Sequence, residues 1–467
     1  MEVPVRLRAS TVLAGALLVL AGQALLPVPA GSTAEPDCAP GARTLRYVVL
    51  FDRGIAAGDA AAEVEGACGR STAFYPQVGV GVATSADPGF AERLGPGRAF
   101  SAQGERAKNA KKAPRSTETR GKVTATDPDA VPSADRTAEQ WDMRAIGADR
   151  ANRIEPGSSR VVVGVLDSGI DAAHPDLAAA VAADQSASCL SGAPDTSERA
   201  WRPTTSTHGT HVAGTIAAAD DGRGTTGVAP GVRIASIKVI DDRGYVDPEA
   251  AVCGLIWAAD HGMAVTNSSF FVNPWALSCV AGDRVMQEAL ARTVEYAESR
   301  GTLNIAAATN EAVNLVPSPR SGKAGRGGCE ALPAGLRDVV AVSSVSAAGV
   351  KAGYSSYGLG VIDLTAPGGE AGECVLSTVP GGYAPLCGTS MAAPHVTGVA
   401  ALLASEHPGW GPATLRRALQ KQATPMSCPA DYDLTGDGTQ DAYCAGYGAF
   451  NGFYGHGLVD AYAAVAP

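Results

Sequence analysis

Strand-like runs alternate with helical stretches through most of this 467-residue chain. That alternation predicts an α/β fold: a doubly wound, mostly parallel sheet with helices on both faces, preceded by a small α+β unit. Two observations carry the expectation. Val161–Leu166 is a continuous apolar run broken by Asp167-Ser168-Gly169, as expected of a strand buried on both faces. The segments between such runs carry helix punctuation. Asp247-Pro248-Glu249 opens a helix through Asp260 that Gly262 stops, and Asp283–Ser299 ends at Gly301.

In chain order, Val232–Ile240, Ala264–Phe270, Leu303–Ala308 and Asp338–Val345 read as the remaining strands of the large sheet. Met391–Ser405 carries Val396, Val399, Leu402 and Leu403 at helical spacing, and Pro412–Gln420 and Asp460–Val465 read as closing helices. Upstream, Thr44–Phe51 and Val78–Ala83 read as strands around an Ala-rich helix, Ile55–Cys68, with a further helix starting near Pro88. Residues 101–136 are poor in apolar groups and hold Arg106, Lys108, Lys111, Lys112, Arg115, Arg120 and Lys122. This is the composition of a flexible, exposed linker open to proteolytic processing.

Arg6 and Arg8 precede an apolar stretch from Thr11 to Leu26 and small residues up to Ala34, the pattern of a signal peptide over 1–34. Its apolar stretch is short for a membrane span, so the expected product is secreted, extracellular and membrane-free. The ten cysteines all follow that stretch, which suits disulfides in an oxidising compartment. Proximity suggests Cys38–Cys68, Cys374–Cys387 and Cys428–Cys444. Cys279–Cys329 then leaves Cys189–Cys253, although sequence alone does not set connectivity. A net charge of −10 and the lack of aromatic residues among the linker's cations argue against nucleic acid as a partner.

Ser390 stands at the head of the Met391 helix, where free N–H groups and the dipole favour an anion. A serine there is most often only a cap. Two other stretches change that. Asp167 ends a central strand, where open α/β sheets place their sites, and His208 opens a helix in His208-Gly209-Thr210-His211. A serine nucleophile needs a base, and the base needs a carboxylate to fix its tautomer.

The order Asp-Ser-Gly, His-Gly-Thr-His, Gly-Thr-Ser-Met-Ala resembles the subtilisin family of serine peptidases, whose triad residues follow one another along the chain in that same order. The resemblance runs from about Gln140 to the C-terminus. It implies a subtilisin-like catalytic domain over 137–467, with Asp167, His208 and Ser390 as the triad. Asn310, in Ala307-Ala308-Thr309-Asn310, matches the family's oxyanion amide, with Thr309 where the family has glycine. Ser269, Phe270 and Phe271 match the strand that pairs with substrate, with bulk at Phe271 and Val272 where glycines are usual. The upstream unit, 35–100, resembles the family's inhibitory propeptide.

No cofactor is expected for the chemistry. Asp176 and Asp221 fall where relatives hold a structural calcium, and two solvated acids account for them equally well. Asp433, Thr435, Asp437 and Asp441 follow part of a calcium-loop pattern with Gly438 at the turn. Cys444, however, stands where the bidentate glutamate belongs. The function expected is a monomeric, secreted serine endopeptidase made as a zymogen. It takes protein and peptide substrates and its own propeptide as inhibitor. The alternative is a catalytically silent relative that binds peptides, and the intact Asp167, His208, Asn310 and Ser390 set weighs against it. A nucleotide-binding protein fits less well, because no Gly-x-Gly-x-x-Gly follows the Val161 strand.

Overall fold

The computed structural model describes residues 38, 39, 41, 43–109, 134–272, 283–316, 331–370 and 372–466. The expected signal peptide, the Cys279–Cys329 bridge and most of the linker lie outside these residues. The N-terminal part runs β1 (Leu45–Leu50), α1 (Ala57–Gly66), β2 (Arg70–Tyr75), β3 (Val80–Ser85), α2 (Phe90–Leu94), β4 (Ala99–Phe100) and α3 (Ala102–Asn109). Its strands form an antiparallel sheet in the order β2-β3-β1-β4.

Strand alternation gives this sheet two different partners. Tyr47 and Val49 point to Ala60, Val64, Phe90 and Leu94, the unit's own small core, with the Tyr47 and Phe90 rings 4.7 Å apart. Val48, Val80 and Val82 point the other way, into a buried cluster shared with the larger sheet and its helices. The Cys38–Cys68 disulfide closes the unit. The flexible-linker expectation for 101–136 is corrected at its start. Residues 102–109 are helical, because Arg106 and Gln103 find acceptors on the main body at Asp247.

The larger part begins with α4 (Trp141–Ala145), α5 (Ala148–Ala151), β5 (Val162–Asp167), β6 (Ala187–Ser188), α6 (Glu198–Trp201), α7 (His208–Ala217) and β7 (Arg233–Lys238). It continues through α8 (Pro248–Asp260), β8 (Val265–Ser268), α9 (Asp283–Ser299), β9 (Leu303–Ala307), β10 (Val339–Val345) and β11 (Leu364–Pro367). A hairpin of β12 (Val375–Val379) and β13 (Gly382–Leu386) precedes α10 (Thr389–Glu406). Last come α11 (Pro412–Gln422), the short pair β14 (Gly446–Tyr447) and β15 (Phe450–Asn451), and α12 (Ala461–Val465).

Seven strands, β11-β10-β9-β8-β5-β7-β6, form one parallel sheet, the doubly wound α/β fold that the alternation predicts. Helices α7 and α10 cover one face, and α8 and α9 the other. The chain leaves β5 toward β7 and β6, then returns to β8 on β5's other side. The carboxyl ends of β5 and β8 therefore border the point where the winding reverses, the place open α/β sheets reserve for a site.

Among the described residues four disulfides join the expected pairs Cys38–Cys68, Cys189–Cys253, Cys374–Cys387 and Cys428–Cys444. Among the described residues no helix is long and apolar enough to cross a membrane. Phe90 is fully buried in the small unit's own core. Phe90→Ala should therefore lower the free energy of opening that unit by about 3–5 kcal/mol. Faster hydrogen exchange at the β1 and β3 amides, with α10 unaffected, is the expected result.

Candidate active site

Asp167 is the last residue of β5 and is fully buried. Its Oδ1 accepts from the Ser168 backbone N–H at 2.7 Å. Its Oδ1 and Oδ2 lie 2.8 and 3.0 Å from His208 Nδ1. His208 opens α7, and that helix approaches the carboxylate closely. A Cβ on Gly209 would stand 2.4 Å from Gly169 O and 3.0 Å from Asp167 Oδ1, so only glycine follows the histidine here.

Ser390 is the second residue of α10 and is half-buried. Its Oγ donates to Ser269 O at 3.1 Å, and Ser269 Oγ donates in return to Ser390 O at 2.8 Å. Ser269 is oriented by Asn267 Nδ2 at 2.8 Å, and Asn267 Oδ1 accepts from Thr397 Oγ1 at 2.9 Å. A continuous run of hydrogen bonds thus ties the end of β8 to α10.

Asn310 lies just past β9 and is exposed. Its Oδ1 accepts from Thr389 N at 2.9 Å and Thr389 Oγ1 at 2.8 Å, which fixes the amide flip and turns Nδ2 outward from that contact. A Cβ on Gly388 would meet Asn310 Nδ2 at 3.2 Å and Ser390 N at 3.7 Å. The glycine's bare face and these two nitrogens frame one hollow, which a side chain at Gly388 would fill.

Thr309 takes the positive φ of +80° that a glycine would adopt with ease. Such a conformation costs a β-branched residue about 1–3 kcal/mol. The threonine is held there by its Oγ1 against Ser356 Oγ at 2.8 Å and its carbonyl on Ser356 N at 3.0 Å. Phe270 and Val272 are buried and Phe271 is half-buried, with Val272 N bonded to Leu332 O at 2.7 Å.

Two supports have no signal in the local sequence, because each partner is distant along the chain. The β12–β13 hairpin bridges α7 and the approach to Ser390. His211 Nε2 lies 3.0 Å from both Val375 O and Ala384 O. Ser377 and Thr378 bond back to the His211 and Thr210 carbonyls. Burial, followed by the His208 charge, drives the His211 pKa down to about 3, so the ring stays neutral. The second support is a fully buried pair. His395 Nε2 meets Asp142 Oδ2 at 3.0 Å, while its Nδ1 donates to Met391 O at 2.7 Å. A further support, the Cys374–Cys387 bridge at the open end of the hairpin, is one that proximity along the chain suggests.

The expected calcium residues are differently placed. Asp176 oxygens accept from Tyr383 OH at 2.9 and 3.0 Å and from Thr225 N at 3.1 Å, and Asp221 Oδ1 accepts from Arg223 N. Asp433 gathers the Gly436, Asp437 and Gly438 backbone N–H groups, which hold its pKa below the usual value, Gly438 most strongly. Asp437 and Asp441 accept from the Thr439 and Leu434 amides. Both donor sets are all-oxygen, as calcium prefers. Among the described residues, however, the converging His/Cys/Asp/Glu group is Cys38, Cys68 and Asp87, whose sulfurs form a disulfide.

Residues 158–457 match the model of the subtilase family. The chain belongs to the subtilase family. This subtilase is 37% identical over 267 residues to subtilisin of Bacillus pumilus, a match covering 57% of this chain and 84% of that one. It is 35% identical over 306 residues to subtilisin Savinase of Lederbergia lenta, covering 65% and 97%. It is 34% identical over 333 residues to fervidolysin of Fervidobacterium pennivorans, covering 66% of this chain but only 42% of that relative's length. Among solved structures, it resembles a lanthipeptide protease (TM-score 0.56, 28% identity, 73% of this chain and 97% of that one). A protease of Pseudoalteromonas arctica gives a TM-score of 0.54 at 28% identity, covering 72% and 99%.

Removing the Asp142 carboxylate leaves His395 buried without its partner. Asp142→Ala should therefore cost about 3–5 kcal/mol, read as a lowered urea midpoint. An unmoved midpoint would mean that the pair contributes nothing to the fold.

Proposed function

We propose that this subtilase is a secreted serine endopeptidase, made as a zymogen, that cleaves peptide bonds through an acyl-enzyme. The observation that carries the reading is the buried Asp167 carboxylate on His208 Nδ1 at 2.8 and 3.0 Å. It sits at the sheet end that also holds Ser269, the hydrogen-bond partner of Ser390. With Nδ1 engaged, Nε2 is the nitrogen that takes the Ser390 hydroxyl proton as Oγ attacks the carbonyl. Asp167 stabilises the imidazolium, and His208 returns the proton to the departing amine. Negative charge on the tetrahedral oxygen is met in the hollow beside Gly388, by Ser390 N–H, Asn310 Nδ2 and the positive end of α10. Water then repeats the sequence on the acyl-enzyme.

In this reading residues 35–100 are the inhibitory propeptide, cleaved in the region beyond α3. Ser269, Phe270 and Phe271 border the bound substrate. A fluorophosphonate should label the mature enzyme and not Ser390→Ala. Ser390→Ala should lower kcat by on the order of 10⁶, the loss that subtilisin itself shows, with His208→Ala added at little further cost. The uncut precursor of Ser390→Ala should accumulate. Additive losses, or labelling that survives the substitution, would overturn the assignment.

Calcium enters the proposal as a structural ion, held by Asp176 and Asp221 or by Asp433, Asp437 and Asp441, with no part in the chemistry. At the first site it would replace the Tyr383 and Thr225 contacts. Chelation should then lower the melting temperature, with millimolar calcium restoring it. A melting temperature indifferent to both would remove calcium from the account.

A further inference from the structure

Arg106, in α3, is seated in a place that suits a guanidinium. Its side chain is only 12% exposed and its Nη2 lies 2.5 Å from Asp247 Oδ1. Its Cζ stands 4.6 Å from the centre of the Tyr245 ring, a cation–π distance. Beside it, Arg46 of β1 reaches Glu249 Oε1 at 3.4 Å, Asp247 Oδ2 at 3.9 Å and Leu190 O at 2.7 Å. The acceptors belong to the main body, and the cations to β1 and α3 of the N-terminal part.

The arrangement has capacity to spare. Glu249 is 1% exposed, and its Oε2 is buried with no hydrogen-bond partner. Arg106 Nη1 is likewise buried and unpaired. A buried carboxylate is costly unless a cation accompanies it. Burial, then the Asp247 charge, pushes the Glu249 carboxyl up to about 7, while Arg46 and Arg106 oppose the rise. Arg46 and Asp247, the partners of Glu249 and Arg106, border a cavity of about 200 Å³, lined also by Gln103, Leu190, Tyr245 and Ala250. The neighbouring Arg243 is held to Asp241 at 2.6 Å.

The location connects this acceptor to the reaction. Tyr245 and Asp247 lie on the loop from β7 to α8. Val239 N and Ile240 N, where that loop starts, both donate to the Asp167 carbonyl, at 2.8 and 3.2 Å. The loop therefore rises from the same end of the sheet as the catalytic pair. With the cut placed beyond α3, Arg106 lies upstream of the bond to be cleaved.

We propose that Tyr245, Asp247 and Glu249 form a substrate subsite for an arginine or lysine side chain upstream of the scissile bond, filled in the precursor by Arg106 with Arg46 beside it. This rests on the peptidase reading and adds a substrate class to it: peptides carrying basic residues, of which the linker with Lys108, Lys111, Lys112 and Arg115 is itself one. Arginine meets the site with a planar fork that carboxylates accept and an aromatic ring stacks upon.

Two experiments test it. The matured enzyme is given peptides of one sequence with arginine, norleucine or glutamate at each of the residues upstream of the scissile bond. At one position arginine should exceed norleucine by on the order of tenfold in kcat/KM, glutamate should fall below both, and Asp247→Asn should shrink the arginine-to-norleucine ratio toward one. A flat profile, or a ratio that Asp247→Asn does not move, overturns the subsite.

The second experiment needs no turnover. Full-length Ser390→Ala keeps the site filled, and adding Arg106→Ala vacates it. Anisotropy of a fluorescein-labelled arginine peptide should show binding about tenfold tighter to the double variant than to Ser390→Ala alone. Its glutamate counterpart should not discriminate between the two proteins. Equal binding of the arginine peptide to both overturns the proposal. If no peptide is cleaved in the first experiment, the peptidase reading falls and the second still decides whether the site takes a guanidinium.

Discussion

A carboxylate with no exposure to water, Asp167, is the constraint around which this molecule is arranged. A buried charge survives only with donors aimed at it. The end of a parallel strand supplies one from the next backbone amide, and the head of α7 supplies the imidazole. Each demand propagates. The helix comes near enough only because Gly209 has no side chain. The strand ends at the winding reversal only because β8 returns to β5's free side. The Ser168 hydroxyl, which accepts from Gly209 N at 3.0 Å, closes the turn.

The second helix, α10, is fastened by a different means. Its first turn is bonded to Asn310 and Ser269, both at sheet ends, and its second turn to Asp142 through His395. The hairpin before it grips α7 with carbonyls on His211 and hydroxyls on the helix backbone. Four elements far apart in sequence thus triangulate the head of one helix. Positioning of this kind is what reacting groups need, since small displacements cost large factors in rate.

How far the sequence foretold this depends on the range over which each signal acts. The buried strands and the helices punctuated by Pro and Gly were legible, because their patterns are local and apolar. Of the motif groups, Asp167 meets His208, while the Ser390 stretch is bonded to Ser269 and Asn310. β2 carries no clear strand signal, because half of its residues are exposed and polar, which blurs a period of two. α3 was hidden inside a basic stretch whose composition suggests a linker. Its acceptors lie 141 residues and more away. Glu249 was legible only as part of a helix start. Its partner Arg46 is separated from it by 203 residues, and no local pattern reports such a pair.

The small sheet's outer face, Val48, Val80 and Val82, shares a buried cluster with α8 and α9. Two bodies here have one interior between them, so separating them would bare apolar surface on both sides at once. The smaller body has only a modest core of its own and one disulfide to hold it. Once detached it would be a poorly protected chain, open at its bare face to digestion or aggregation. Were the two parted, the survival time of the fragment would decide whether they could meet again. The same valines that join the smaller body to the larger would be its weakness if it stood alone.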